Sequence, residues 1–146
     1  MTAPDPAWML EVALEAAREG AREGGIPIGA ALFGSDGTQL GRGRNRFVQG
    51  GDPSLHAETE AVRDAGEQPS SRDTILVTTL APCEMCSDLI LRTGIGSVVV
   101  GESETLPGDL DRLRAGGIGV IDLESRACVE LLGGFIREHP EIWAAA

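Results

Sequence analysis

The sequence predicts a single α/β layered domain with a mixed five-stranded sheet. One observation supports the layered sheet, and two support a single domain. Segments with strand patterns alternate with segments of helical spacing after one initial hairpin. No internal repeat, low-complexity tract or linker divides the chain. A length of 146 residues is that of one domain with a substantial core. Residues 1–146 are therefore predicted to form a single domain.

The first half of the chain predicts a helix, a hairpin and a second helix. Apolar and alanine residues recur with helical spacing from Pro6 to Arg22, and two glycines at 24 and 25 end that helix. The segment "IPIGAALFG" is typical of a buried strand, "SDGT" of a turn and "QLGRGRN" of the returning strand. The segment "LHAETEAVRDAG" then changes to helical spacing.

The second half alternates strands with helices. The segments "DTILVTTL", "GSVVVGE" and "IGVIDL" predict three further strands. Between them, "CEMCSDLILRTG" predicts a helix that ends at Gly94, and "DLDRLRAGG" a short helical segment. The segment "ESRACVELLGGFIREHPEIW" predicts one closing helix. In layered sheets of this kind, functional sites gather where strands lead into helices, and two motifs lie at such junctions.

The composition argues against some functions and locations. The net charge is −11 and all twelve basic residues are arginine. A field of this sign repels phosphate backbones, so nucleic-acid binding is not expected. No apolar run approaches the roughly 20 residues that span a membrane. The first residues lack a secretory signal pattern, so a cytoplasmic location is expected.

The first motif is "PCEMC", which places Cys83 and Cys86 between a predicted strand and a predicted helix. In a reducing compartment the three cysteines are more consistent with metal binding, catalysis or burial than with disulfides. Alone, the spacing fits a redox pair, a structural metal site, half of a catalytic metal site or two buried thiols.

The second motif is "HAE", which places Glu58 two residues after His56. One imidazole and two thiolates suit tetrahedral Zn²⁺ and leave a fourth position open, so His56, Cys83 and Cys86 are predicted zinc ligands. A carboxylate beside that position, without binding the ion, is suited to act as general base and then general acid. We therefore predict Glu58 as the catalytic residue.

Together, H-x-E and P-C-x-x-C resemble the signature of the zinc-dependent cytidine and deoxycytidylate deaminase superfamily. The segments "GGIPIGAALFGSDGTQLGRGRNRF", "DTILVTTLAPCEMC", "SVVVGE" and "FIREHPEIW" extend the likeness, and over residues 8–143 the chain is similar to the fungal-type cytosine deaminases. The resemblance implies a three-layer α/β/α sandwich of the cytidine deaminase-like fold and a homodimer. It also implies the same zinc ligands, with Glu58 as proton shuttle.

The resemblance further implies a set of substrate-binding residues. Asn45 matches an amide that bonds to the base ring, Trp143 matches an aromatic residue that covers the base, and Leu106 falls where a pocket aromatic is expected. Ile28 and Ala57 complete the predicted set. The chain departs from the pattern at Ala146, where these deaminases carry an aspartate that contacts the amino group of the base.

The function implied is hydrolytic deamination of a free heterocyclic base, with cytosine or a cytosine-like aminopyrimidine favoured and ammonia released. The attacking water is activated by zinc, Glu58 carries the protons, and pyrimidine salvage is the expected metabolic role. The altered positions leave guanine, isocytosine or aminotriazine deamination open. A tRNA adenosine deaminase shares both motifs, but the net charge of −11 argues against it.

The non-enzyme alternative is a domain in which zinc has only a structural role. It requires a fourth protein ligand, and the only other cysteine, Cys128, lies far along the chain. We expect Cys128 to be a buried, small apolar residue.

Two further sets of charged residues are interpreted as surface. Arg42, Arg44 and Arg46 alternate along the returning strand, which predicts one solvated face of an edge strand. Glu102 and Glu104 follow the fourth strand, and each is expected to be an exposed loop acid. Both are also candidates to replace the aspartate missing at position 146.

Overall fold

The computed structural model describes residues 4–146, and its centre is a five-stranded sheet. The strands are β1 (Gly29–Gly34), β2 (Gln39–Arg44), β3 (Thr74–Thr78), β4 (Ser97–Val100) and β5 (Gly119–Asp122). Their order is β2-β1-β3-β4-β5. β1 runs antiparallel to β2 and β3, whereas β3, β4 and β5 run parallel to one another. The predicted mixed sheet is confirmed.

Seven helices flank the sheet within the described residues: α1 (Pro6–Arg22), α2 (Phe47–Gly50), α3 (Ala57–Ala65), α4 (Glu84–Thr93), α5 (Leu110–Ala115), α6 (Arg126–Glu138) and α7 (Pro140–Ala145). The prediction of one closing helix is wrong, because the chain breaks at His139 (φ −134°, ψ 58°). Pro140 has no backbone N–H and disfavours helical geometry in the residue before it, so a new helix begins there.

The sheet separates two apolar cores, as a three-layer sandwich requires. Along β1, Ala31 and Phe33 face α1, whereas Ala30 and Leu32 face the opposite side with α3 and α4. All four residues are buried, because alternate side chains of a central strand point to opposite faces. Across residues 4–146, no helix combines the length and apolar character needed to cross a membrane.

The arginines of β2 are paired with helical carboxylates. β2 is an edge strand, as predicted, but Arg42 pairs with Glu19 (3.2 Å) and Arg44 with Glu23 (2.8 Å), both contributed by the end of α1. Arg46 lies beyond the strand and pairs instead with Glu60 of α3 at 2.6 Å. The strict alternation therefore stops at Arg44, where the strand ends.

Two glycines of β2 bring α3 unusually close to the sheet. A Cβ atom on Gly43 would lie 2.6 Å from the Ala57 carbonyl oxygen and 2.7 Å from the Ala61 backbone nitrogen, and one on Gly41 would meet the same helix at 2.5 Å. The backbone of α3 therefore rests directly on β2. This contact determines how close α3, which begins beside His56 and carries Glu58, lies to the sheet.

We expect Gly43→Ala to lower the free energy of unfolding by about 1–3 kcal/mol, because the added methyl forces α3 away from β2. Urea unfolding measures the change. Gly134→Ala in α6 is the matched control: its Cβ would meet only the Arg137 guanidinium at 3.9 Å, and alanine favours a helix over glycine by up to about 1 kcal/mol. Equal stability of Gly43→Ala and the wild type would contradict the close packing.

Candidate active site

Both motifs lie where an extended segment becomes a helix. His56 is the N-cap residue of α3, and Cys83 is the N-cap residue of α4 just after β3 and its short connection. Each has extended backbone angles (ψ 156° and 178°), so each helix starts at the next residue. A thiol at a helix N-terminus experiences the positive end of the helix dipole, which favours the thiolate.

The three predicted zinc ligands converge on one point. The His56 Nδ1 atom lies 3.5 Å from the sulfur of Cys83 and 3.5 Å from the sulfur of Cys86. The three donor atoms all lie within 4.8 Å of one another. Tetrahedral zinc with ordinary Zn–S and Zn–N bond lengths places its sulfur and nitrogen ligands about 3.6 Å apart. The arrangement therefore fits zinc without rearrangement of these side chains.

The thiols interact as one unit. The hydrogen bond with Cys86 lowers the pKa of Cys83 to about 4, and the same contact raises the pKa of Cys86. The hydrogen bond with Cys83 also raises the pKa of His56. Two sulfurs and an imidazole nitrogen within 4.8 Å of one another form a donor set suited to a divalent cation such as zinc.

Glu58 lies at the start of α3 and is only 4% exposed. Burial raises the pKa of its carboxyl group, because desolvation disfavours the charged form. Glu58 lines the same cavity as His56 and Cys83 but is not part of the three-ligand cluster. It is thus a buried carboxyl group beside the cluster, with a pKa shifted towards the range used in proton transfer.

Among residues 4–146 the cluster holds three ligands and no fourth His, Cys, Asp or Glu. Cys128 is 3% exposed and packs in the core on the α1 side of the sheet, away from the cluster. Its prediction as a buried residue is confirmed. A set of three protein ligands leaves one position for water, as in catalytic zinc sites, and does not suit a purely structural zinc.

A cavity of about 590 Å³ opens beside the cluster. Four of the five predicted substrate-binding residues line it: Ile28, Asn45, Leu106 and Trp143. Ala146 lines it as well, so the position of the missing aspartate does face the predicted binding space.

Asn45 is the polar residue of this set and is 6% exposed. Its backbone N–H donates to the Ile28 carbonyl oxygen at 3.0 Å, and its Oδ1 atom accepts the Phe47 N–H at 2.9 Å. With the oxygen used in this way, the amide NH₂ is the group that Asn45 offers to another partner.

Ala57 differs from the other predicted contacts. Its side chain is fully buried in the core beneath the sheet and does not line the cavity. Its backbone N–H lies in the first turn of α3, where the amides have no partner within the helix.

The cavity also contains residues that the sequence did not indicate. The loop between β4 and α5 contributes Pro107, Gly108 and Asp109 beside Leu106. No spacing rule marks Asp109, because the path of this irregular loop is set by the elements around it.

The two acids of the same loop have different environments. Glu104 is exposed and pairs with Arg126 at 2.6 Å, which confirms its prediction as a loop acid. The prediction for Glu102 is wrong, since its side chain is 1% exposed. Neither lines the cavity, so neither stands in for the aspartate missing at position 146.

Three soft ligands with an open fourth position, a buried carboxyl group beside them and an adjoining cavity define a zinc hydrolase on an α/β/α scaffold. Residues 4–102 match the family described as the cytidine and deoxycytidylate deaminase zinc-binding region. The chain belongs to this family and is a zinc-dependent deaminase.

The chain is similar to deaminases that are named for different substrates. It is 40% identical over 136 residues to the cytosine deaminase of Candida albicans, covering 92% of this chain and 91% of the relative. It is 34% identical over 103 residues to the tRNA-specific adenosine deaminase of Haemophilus influenzae, covering 68% of this chain and 60% of that relative. The structure of guanine deaminase from Nitrosomonas europaea superposes with a TM-score of 0.75 at 27% identity, covering 92% of this chain and 86% of that one.

Proposed function

We propose that this protein hydrolytically deaminates a free heterocyclic base, with cytosine or a cytosine-like aminopyrimidine as the favoured substrate. The observation that carries the proposal is the buried Glu58, which shares one cavity with the three-ligand cluster. The 40% identity to a cytosine deaminase over 92% of the chain supports the choice of a pyrimidine base.

In this proposal His56 would hold zinc through Nδ1, and Cys83 and Cys86 would hold it through their sulfurs. Bound zinc supplies a Lewis acid that makes a coordinated water acidic enough to react near neutral pH. The depressed pKa of Cys83, about 4, keeps this thiol ready to act as a thiolate ligand. The first turn of each helix holds its ligand in place before the substrate binds.

Glu58 moves the protons. Its carboxylate oxygen accepts a proton from the attacking water and passes it to a ring nitrogen of the base, which makes the amino-bearing carbon electrophilic. After the water oxygen has added to that carbon, Glu58 transfers the second proton to the amino group, and ammonia leaves. The base keeps the oxygen as a carbonyl group. Burial raises the pKa of Glu58, which suits a group that must both take and give a proton.

The cavity walls provide recognition. Asn45 lines the cavity with its oxygen bonded to the Phe47 N–H, which supports a role for its amide NH₂ as donor to a carbonyl oxygen or an unprotonated ring nitrogen of the base. Trp143, Leu106 and Ile28 supply apolar surface for the ring faces. Asp109 is the acidic residue of the β4–α5 loop that lines the cavity, and its carboxylate is suited to accept from the amino or ring N–H groups.

Guanine deamination is the second candidate. Leucine at 106 and alanine at 146 are smaller than an aromatic residue and an aspartate, and both positions line the cavity. A wider space favours a bicyclic base. The likeness to the guanine deaminase of Nitrosomonas europaea supports this alternative.

We further propose a cytoplasmic homodimer that acts in pyrimidine salvage and does not bind nucleic acid. The net charge of −11 supports the last point, because an RNA ligand requires a basic surface. Light scattering of the purified protein reports its mass and tests the dimer.

An ammonia-release screen tests the function. The zinc-loaded protein is incubated with cytosine, isocytosine, guanine, adenine, creatinine and aminotriazines, with cytidine and adenosine as nucleoside controls. We expect cytosine to react fastest and the nucleosides to be poor substrates. Faster ammonia release from guanine than from cytosine would favour the second candidate, guanine deamination. No release from any free base would reject both.

A further inference from the structure

Glu102 is the least expected residue near the cavity. It follows β4, is 1% exposed, and carries the one buried side-chain oxygen of residues 4–146, Oε1, that lacks a hydrogen-bond partner. Leaving a buried carboxylate oxygen unpaired lowers stability. Because this unpaired oxygen lowers stability, we expect the Glu102 side chain to have a structural or functional role that offsets the loss.

The other carboxylate oxygen shows what that role is. Glu102 Oε2 accepts the backbone N–H of Glu104 and that of Thr105, both at 2.8 Å. One oxygen therefore holds two consecutive amides and folds the loop back on the end of β4. Hydrogen bonds to a carboxylate are stronger than those to a neutral acceptor.

The backbone of Glu102 makes a second connection. Its carbonyl oxygen accepts the Ala81 N–H at 2.9 Å. Ala81 lines the cavity and stands two residues before the ligand Cys83. Glu102 thus joins the segment that leads into the metal cluster to the loop after β4, and residues of both segments line the cavity.

The residues directly after this turn form a wall of the cavity: Leu106, Pro107, Gly108 and Asp109. Leu106 is 44% exposed, so little packing of its own holds it in place. The path of the wall therefore depends on the turn at 103–105. Within that turn Glu102 Oε2 accepts two backbone N–H groups, and the Ser103 hydroxyl donates to Asp122.

We propose that Glu102 is a positioning residue that controls base binding by fixing the 103–109 loop, and that it acts through Leu106 without touching the base. The inference rests on the proposed deaminase function. It predicts that loss of the Glu102 side chain weakens base binding. It also predicts that the 103–109 loop becomes less ordered, which can be measured without any substrate.

The first experiment replaces the side chain in two ways. Glu102→Ala removes both accepted hydrogen bonds, whereas Glu102→Gln keeps a side-chain oxygen that can accept them. For Glu102→Ala we expect a KM for the preferred base about tenfold higher, with kcat within about threefold and zinc content unchanged. Glu102→Gln is expected to restore a KM near that of the wild type.

Hydrogen exchange supplies the readout that does not depend on activity. In Glu102→Ala, a peptide spanning 103–109 is expected to exchange at least about tenfold faster, while peptides from β3 and α4 remain protected. Glu104→Ala is the matched control, because Glu104 lies in the same loop but contacts only the surface Arg126 through its side chain. It is expected to change neither the exchange of 103–109 nor KM.

A double-mutant cycle tests the route through Leu106. If Glu102 acts through this residue, Glu102→Ala raises KM much less in a Leu106→Ala background than in the wild type. Additive effects, an unchanged exchange rate in Glu102→Ala, or a Glu102→Gln variant as impaired as Glu102→Ala would each overturn the proposal.

Two outcomes separate this inference from the function itself. Absence of ammonia release from every base rejects the proposed function, yet the exchange experiment still decides whether Glu102 orders the loop. If Glu102→Ala does not fold, Glu102→Met replaces it, since methionine fills the buried space but has no oxygen to accept the two amide N–H groups. Normal exchange of 103–109 in Glu102→Met would then overturn the inference.

Discussion

Replacing Glu58 by glutamine is expected to lower kcat by roughly 10²- to 10⁴-fold while zinc content stays at the wild-type level. Glutamine has the size and shape of the buried carboxyl group, so the 4% exposed site can accommodate it. Its amide cannot accept a proton from water and return it to the base. Zinc content is unaffected because Glu58 is not one of the three ligands. Ammonia-release rates and zinc per chain by elemental mass spectrometry measure the two quantities.

Glu60→Gln provides the control on the same helix. Glu60 lies two residues further along α3, pairs with Arg46 and does not line the cavity. The turnover of the Glu60→Gln variant is expected to remain close to that of the wild type, because only a partly exposed ion pair is weakened. If Glu58→Gln retained more than about a tenth of wild-type turnover, the proton-shuttle role would be wrong. If it lost zinc, Glu58 would be a ligand.

Removal of one ligand is expected to have the second large effect. Cys86→Ala should weaken zinc binding on the order of 10²- to 10³-fold and abolish deamination, because two protein ligands remain where three converge. Cys86 is fully buried at the first turn of α4, so water cannot readily replace its sulfur. Competition with a chelator measures the affinity, and the ammonia assay measures the activity.

Cys128→Ala is the matched control for this experiment. Cys128 is also a buried cysteine, but it lies in the core on the α1 side of the sheet. The substitution is expected to cost about 1 kcal/mol of stability through lost packing and to leave zinc and activity unchanged. Zinc loss in Cys128→Ala, or full zinc retention in Cys86→Ala, would show that the metal is held elsewhere.

The parts of the site that could be predicted are those encoded by neighbouring residues. His56 and Glu58 are two positions apart, and Cys83 and Cys86 three apart, so each pair is placed by the start of a single helix. Helix starts depend mainly on local capping and on the residues of the first turn. The step that required more than local rules was the meeting of the two pairs, which was predicted from the ligand preferences of zinc and supported by the resemblance to a known family.

The parts that could not be predicted depend on contacts between distant residues. The burial of Glu102 follows from its bond to Ala81 and from the turn at 103–105, and no residue pattern distinguishes it from the exposed Glu104. Asp109 lines the cavity as part of the irregular loop after β4. Ala57 lies in the core beneath the sheet, among residues from distant segments.

By itself, the sequence determined the alternation of strands and helices and the two motifs that carry the predicted zinc ligands and Glu58, because hydrophobic period, capping and motif spacing are local properties of the chain. Only the tertiary structure decided which residues form the wall of the cavity and how the loop after β4 is held. That wall is built from segments that meet across the fold, around Asn45, Leu106, Trp143 and Ala146. Their relative positions follow from packing and from a few long-range hydrogen bonds, which no single segment encodes.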